Sequence, residues 1–323
     1  MATKVEISHR TILFTIFILL GIWLIYFIRD ILFLIFVSFI LMSALRPLVD
    51  SLVRLRIPRV LAIVCIYILV FGVFGVFLAG TIPSLLTQTT RLVQQFPEFI
   101  SRLMPYWDVD FRSLAQQIAP ISENVVKVTV GIFSNIVSTL TVLVFTFYFL
   151  LERRHTEVFL ENIMGDEAAQ RVINILSSVE KRLSSWVQGQ LFLMIFIGVL
   201  SYIGLSILRV EFALPLAIIA GFLEIVPMIG PLVSAIPAVL VALAVSPFLA
   251  LSVGALYFII QQVENSIVVP MVMRRSVGLS PLVTIFALLV GGKLAGVAGA
   301  VLAVPIVLVI QSTAKIFLQG SEK

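Results

Sequence analysis

Six apolar runs without a single charge recur along the chain, at 11–28, 31–45, 60–86, 128–151, 186–208 and 248–263. A bilayer core of about 30 Å asks for roughly 20 apolar residues in a crossing helix, and most of these runs approach or exceed that length. In lipid every backbone polar group must be satisfied within the protein, which leaves helices and closed barrels. No segment alternates with period two, so the barrel is set aside. With 60% hydrophobic and 12% charged residues and a mean hydropathy of +1.16, the chain reads as an all-α polytopic membrane protein.

The segments between the runs set an expected orientation. Lys and Arg close to helix ends resist translocation, and the linker 46–59 and the segment 152–185 are both basic. Two spans separate them, so both lie in the cytoplasm together with the N-terminus. The expected divisions are 1–84 for helices 1 to 3, 85–127 for a charge-balanced extracytoplasmic insert broken at Pro97, Pro105 and Pro120, and 128–151 for helix 4. In 152–185, Val172, Leu176, Val179 and Leu183 form an apolar stripe at helical spacing, which predicts an amphipathic interfacial helix. The lone cysteine, Cys65, lies in the third run and excludes an intrachain disulfide.

The stretch 212–246 breaks the pattern. As one helix it would be about 52 Å long, too long for one span and short for two. Pro227, Gly230 and Pro231 cluster near its middle, followed by Pro237, and proline removes helix hydrogen bonds where glycine permits reversal. A re-entrant hairpin with its tip near 227–231 is expected, and irregular backbone at that depth is tolerated only against protein or a water-filled cavity. A second copy follows. Arg209 precedes Pro215 by six residues and Arg275 precedes Pro281 by six; Gly291, Gly292 and Gly296 stand where the first copy has its break, and Pro305 stands where it has Pro237. The expected units are therefore 186–246 and 247–314, each a helix plus a hairpin, with 315–323 as a cytoplasmic tail. Each unit crosses once, so the second is inverted, a transporter architecture. About six full transmembrane helices plus two re-entrant hairpins result, with Gly230, Gly292 and Gly296 expected to allow close backbone approach.

The "PMIGP" of 227–231, Pro237, "GLSPL" at 278–282, "GGKLAG" at 291–296 and "AVP" at 303–305 resemble the AI-2E family of bacterial transporters, and the match covers the chain. The resemblance implies a multi-pass protein of the bacterial inner membrane. It also implies either export of a small polar molecule such as autoinducer-2, or sodium (lithium)/proton antiport, and a homo-oligomer, with a pentamer as one form. These motifs shape backbone rather than read a ligand, so they define the family and leave the substrate open.

An ionisable side chain within a span is costly and by default marks a functional site. Glu224, Glu264 and Lys293 qualify. Glu224 and Lys293 adjoin the two hairpin tips and are expected to meet, as a structural ion pair or as a proton- or substrate-coupling pair. Gln261, Glu264 and Asn265 share one helical face by spacing and are expected to line a cavity. Gln188 and Gln190, near the start of the fifth run, are weaker candidates.

Catalysis lacks its parts: both histidines, His9 and His155, lie outside the apolar runs, and no HExxH, GxSxG or phosphate loop is present. No cofactor or metal site is expected. The pI near 9.6 reflects basic cytoplasmic loops and not nucleic-acid binding. The expected function is an ion-gradient-driven secondary transporter moving a small polar molecule or a monovalent cation against protons. A non-transporting scaffold or sensor is the alternative of another class.

Overall fold

The computed structural model describes residues 9–72, 75, 136–273 and 279–320, and every regular element among them is a helix. In chain order these are α1 (His9–Phe27), α2 (Arg29–Arg54), α3 (Arg59–Gly72), α4 (Ile136–Leu151), α5 (Arg153–Met164), α6 (Asp166–Ile207), α7 (Ala213–Leu223), α8 (Ile229–Val245), α9 (Pro247–Val263) and α10 (Pro281–Gly320). Beyond α9 the chain makes a π-helical turn, Glu264–Val268, and a last helical turn, Val269–Met273. Among the described residues four segments are long and apolar enough to cross a membrane by length and composition: Arg29–Arg54, Asp166–Ile207, Pro247–Met271 and Leu282–Lys315, the last interrupted at Ala295 and Gly296. The insert 85–127 lies outside the described residues.

Two expected boundaries move. The basic linker 46–59 is mostly helix, because α2 continues through Pro47 to Arg54 and turns only at Arg56, whose φ is 66°. Likewise the amphipathic segment ending at 185 is not separate from the span that follows. α6 runs 42 residues without interruption, about 63 Å. A membrane core accommodates its apolar second half and leaves its charged first half outside. In that first half Val179 and Leu183 are buried with Trp186 against Val304 and Leu308 of α10, while Val172 and Leu176 are half-buried.

Lipid tails are as apolar as leucine, so association inside a membrane depends on close packing rather than on removing apolar surface from water. α6 and α7 meet through glycines: a Cβ on Gly221 would lie 2.6 Å from the Met194 carbonyl and 3.1 Å from Gly198 Cα. Around that contact Ile197, Leu205, Leu216, Ala220, Val241 and Val253 form a core shared by α6, α7, α8 and α9. A second core joins α2, α3 and α4 through Met42, Leu45, Val49, Ile63, Ile66 and Leu150.

Both expected reversals occur. α7 ends at Glu224 and α8 starts at Ile229, with Pro227 in the turn and Pro231 in the first turn of α8, where its missing N–H costs little. Met228 takes a φ of 68°, and a Cβ on Gly230 would lie 2.0 Å from the Leu223 carbonyl, so only glycine lets the arms close this tightly. α10 breaks at Ala295 (φ −139°, ψ 23°) and Gly296 (φ 59°, ψ −140°). On either side of that break, Gly291 and Gly299 meet so closely that a Cβ on one would lie 2.0 to 2.3 Å from the other's carbonyl oxygen. In a straight helix these residues would be about 12 Å apart, so α10 is two arms folded back on each other. The break falls at Gly296, whose positive φ favours glycine, but neither Gly292 nor Gly296 has anything within 4 Å of its would-be Cβ. Gly291 and Gly299, the latter outside the sequence expectation, supply the close approach expected of Gly292 and Gly296.

Candidate functional site

The site forms where α7 gives out. Glu224 caps the C-terminus of α7, its N–H donating to the Ala220 carbonyl at 3.2 Å. Its side chain is fully buried, and no N–H or O–H donor reaches either carboxyl oxygen among the described residues. The polar group that meets it is another carboxyl, that of Glu264. Glu264 is itself 3% exposed and opens the π turn, where its Oε2 accepts from Gln261 Nε2 at 3.3 Å. Each residue projects from a point at which regular helix is interrupted, which is where π turns and broken helices place functional groups.

α6 contributes the third member. Gln190 is buried, and its Nε2 donates to the main-chain carbonyl of Glu224, a helix-end oxygen with no partner of its own in α7. Its own Oε1 is buried without a donor among the described residues. Gln190 thus lies at the centre of the site, and the glycines Gly198 and Gly221 explain how α6 comes close enough to deliver it. The signal that could have promoted it was its position four residues before Met194, on the face carrying the α6–α7 glycine contact. Gln188, by contrast, is exposed and bonds Ser184 Oγ at 3.3 Å.

The other candidates separate. Lys293 is exposed, and the ion pairs among the described residues join Arg29 to Asp30, Arg46 to Asp50 and Glu180, and Arg59 to Asp50, so the expected meeting of Glu224 with Lys293 is replaced by a carboxyl–carboxyl contact. Gln261 stays with Glu264, but Asn265 turns outward, because the wider π turn begins at Glu264 and shifts the next residue off the face that α-helical spacing assigns to it. Pro237 lies within α8 and Pro305, fully buried, within the second arm of α10.

A helical bundle with two broken, folded-back segments, one buried carboxyl at the first break and a second at a π turn is a multi-pass membrane protein built on the lines of a transporter. Comparison with known proteins agrees. The model of the AI-2E family transporters matches residues 12–319, and the chain belongs to that family. It is 26% identical over 310 residues to "Putative transport protein YueF" of Bacillus subtilis (strain 168), covering 88% of this chain and 84% of that one. To "AI-2 transport protein TqsA" of Escherichia coli (strain K12) it is 30% identical over 284 residues, covering 83% and 80%.

Proposed function

We propose that the chain is a secondary transporter of the bacterial inner membrane that exports a small polar molecule of the autoinducer-2 kind, with the Glu224–Glu264 pair carrying the coupling proton. The observation that supports this most is the contact between two buried carboxyl groups at a helix break. A carboxylate has no hydrogen to give, so such a contact becomes a hydrogen bond only when one partner holds a proton. Gain and loss of that proton change the charge beside the α7–α8 tip, and an intramembrane charge change is what a pump or exchanger uses. The printed name of the TqsA relative supports the substrate class.

Sodium (lithium)/proton exchange is the second reading. The carboxyl oxygens of Glu224 and Gln190 Oε1, which no donor reaches among the described residues, favour it, since a small cation prefers oxygen ligands. Lys293 and Asn265 are exposed beside apolar neighbours, which lipid covers only at a cost, and a second copy of the chain is the cover we infer, in line with a homo-oligomer. The test is flux in proteoliposomes under an imposed pH gradient, with a furanosyl signal molecule in one arm and sodium or lithium in the other. Uptake that follows the gradient and is lost in the Glu224→Gln/Glu264→Gln variant supports proton coupling. Gradient-independent flux in both arms, unchanged by the variant, overturns it.

A further inference from the structure

We propose that Gln190 is the positioning residue that ties the proton state of the Glu224–Glu264 pair to the position of the α7–α8 tip. The inference rests on the proton-coupled reading above. Among the described residues, Gln190 carries the only side-chain N–H group bonded to Glu224, and that bond goes to the main-chain carbonyl and not to the carboxyl. Among the described residues Glu264 is also the one charged group facing the Glu224 carboxyl from the elements packed around it, and its own donor is Gln261. A pair holding one proton satisfies itself by an O–H···O bond and leaves the Gln190 amide to the carbonyl.

When that proton leaves for water, the pair gains one negative charge and its internal hydrogen bond has no hydrogen. An anionic carboxyl is a stronger acceptor than a neutral carbonyl, and the Gln190 amide is the nearest donor already in contact with the residue. Transfer of the amide to the carboxylate frees the Glu224 carbonyl, the point at which α6 holds the end of α7. The turn beyond is poised to shift: Met228 has a positive φ and is exposed, and 224–228 makes only short-range backbone bonds, such as Val226 N–H to Leu223 O and Ile229 N–H to Pro227 O. Strain of this kind is held only while its surroundings hold it. Gln190 is therefore the element through which a proton, which has no shape, changes the shape of the tip.

The experiment uses full-length protein in proteoliposomes and reads the pH profile of flux for the native chain, Gln190→Leu and Gln190→Asn. A hydrogen bond to a charged acceptor corresponds to about tenfold in an equilibrium, so the ratio of flux between the two ends of the profile should fall about tenfold in both variants at unchanged membrane yield. Equal scaling of flux at every pH, with the profile's shape intact, overturns the inference by showing a merely structural bond. The second measurement leaves Gln190 alone: with Cys65→Ser and Met228→Cys, maleimide labelling should quicken through the flux transition by more than thiol ionisation gives, the reference being the same cysteine in the Glu224→Gln/Glu264→Gln background. A pH dependence of labelling identical in the two backgrounds overturns the tip movement. If the Glu224→Gln/Glu264→Gln variant keeps the native pH profile, the proton-coupled reading falls; if it loses the profile while Gln190→Leu keeps it, only the role of Gln190 falls.

Discussion

Arg46 of α2 donates from Nη1 to Glu180 Oε2 of α6, and the same guanidinium reaches Asp50 Oδ2 through Nε at 3.4 Å. Arg59 extends the cluster, lying 3.7 Å from Asp50 and donating to the Leu150 carbonyl at the end of α4 at 2.7 Å. The cluster therefore bolts α2, α3 and α4 to the charged first half of α6. Burial pushes the Glu180 carboxyl above the ordinary carboxylate range; Arg46 pulls the other way, and Glu157 and Asp50 add like charge.

Arg46→Ala removes the guanidinium and leaves Glu180 buried beside two like charges, at a cost of about 2 kcal/mol. Thermal unfolding in detergent is the measurement, and an unchanged midpoint would sink the idea of a bolt.

The sign of the pH effect follows from the direction of the shift. Folding raises the proton affinity of Glu180, so this group's contribution is fully present below its unfolded pKa and is lost as pH climbs through its raised folded value. Glu180→Gln cannot titrate. The variant's stability should therefore fall less steeply than the native chain's between those two values; parallel slopes would show that Glu180 is not the titrating group.

Glycines provide a sharper contrast. Gly291→Ala and Gly299→Ala drive a Cβ into facing backbone, which cannot swing aside, and should cost about 2 to 3 kcal/mol each or open the hairpin. Gly292→Ala adds a methyl in open space on a helix and should be neutral or stabilising by up to about 1 kcal/mol. Folded yield and detergent melting of the three variants decide the matter. A loss at Gly292 matching that at Gly291 would contradict the folded-back α10.

The apolar runs, the two broken segments and the presence of Glu224 and Glu264 within apolar helices are all legible in the sequence, because bilayer thickness, proline chemistry and the cost of buried charge act on local residue patterns. Partner choice was not legible. Glu224 and Lys293 were paired on the assumption that both tips sit at one depth and face inward, and which way an exposed lysine points is decided by how α10 folds at Gly296, not by its neighbours in sequence. Asn265 was misplaced for a related reason: apolar periodicity assumes an unbroken α register, and a single π turn at Glu264 defeats it. The burial of Gln190 is not legible either, because a position near the start of an apolar run suggests the interface, whereas the glycine contact of α6 with α7 carries it into the core.

Topology gives a test independent of chemistry. If the two repeat units are inverted, cysteines placed at Arg209, which has a φ of 54° between α6 and α7, and at Arg275 should react with impermeant reagents from opposite faces of the membrane in a Cys65→Ser background. Cys65 must be removed because it is exposed on α3. Reaction from one face only would abolish the inverted repeat.

Energetic coupling should follow the contacts that exist. Glu224 and Glu264 meet in the core, so Glu224→Gln and Glu264→Gln each leave one carboxyl facing an amide that can donate to it, while the double variant leaves two amides facing each other. Contacting groups in one network depart from additivity by about 0.5 to 3 kcal/mol, and the double-mutant cycle for this pair should show that departure in both stability and flux. Lys293 is exposed on α10 and forms no ion pair among the described residues. Lys293→Met combined with Glu224→Gln should therefore add within about 0.5 kcal/mol. Strong coupling of Glu224 to Lys293, together with additive losses at Glu224 and Glu264, would restore the ion pair that sequence spacing suggests and remove the carboxyl pair from the mechanism.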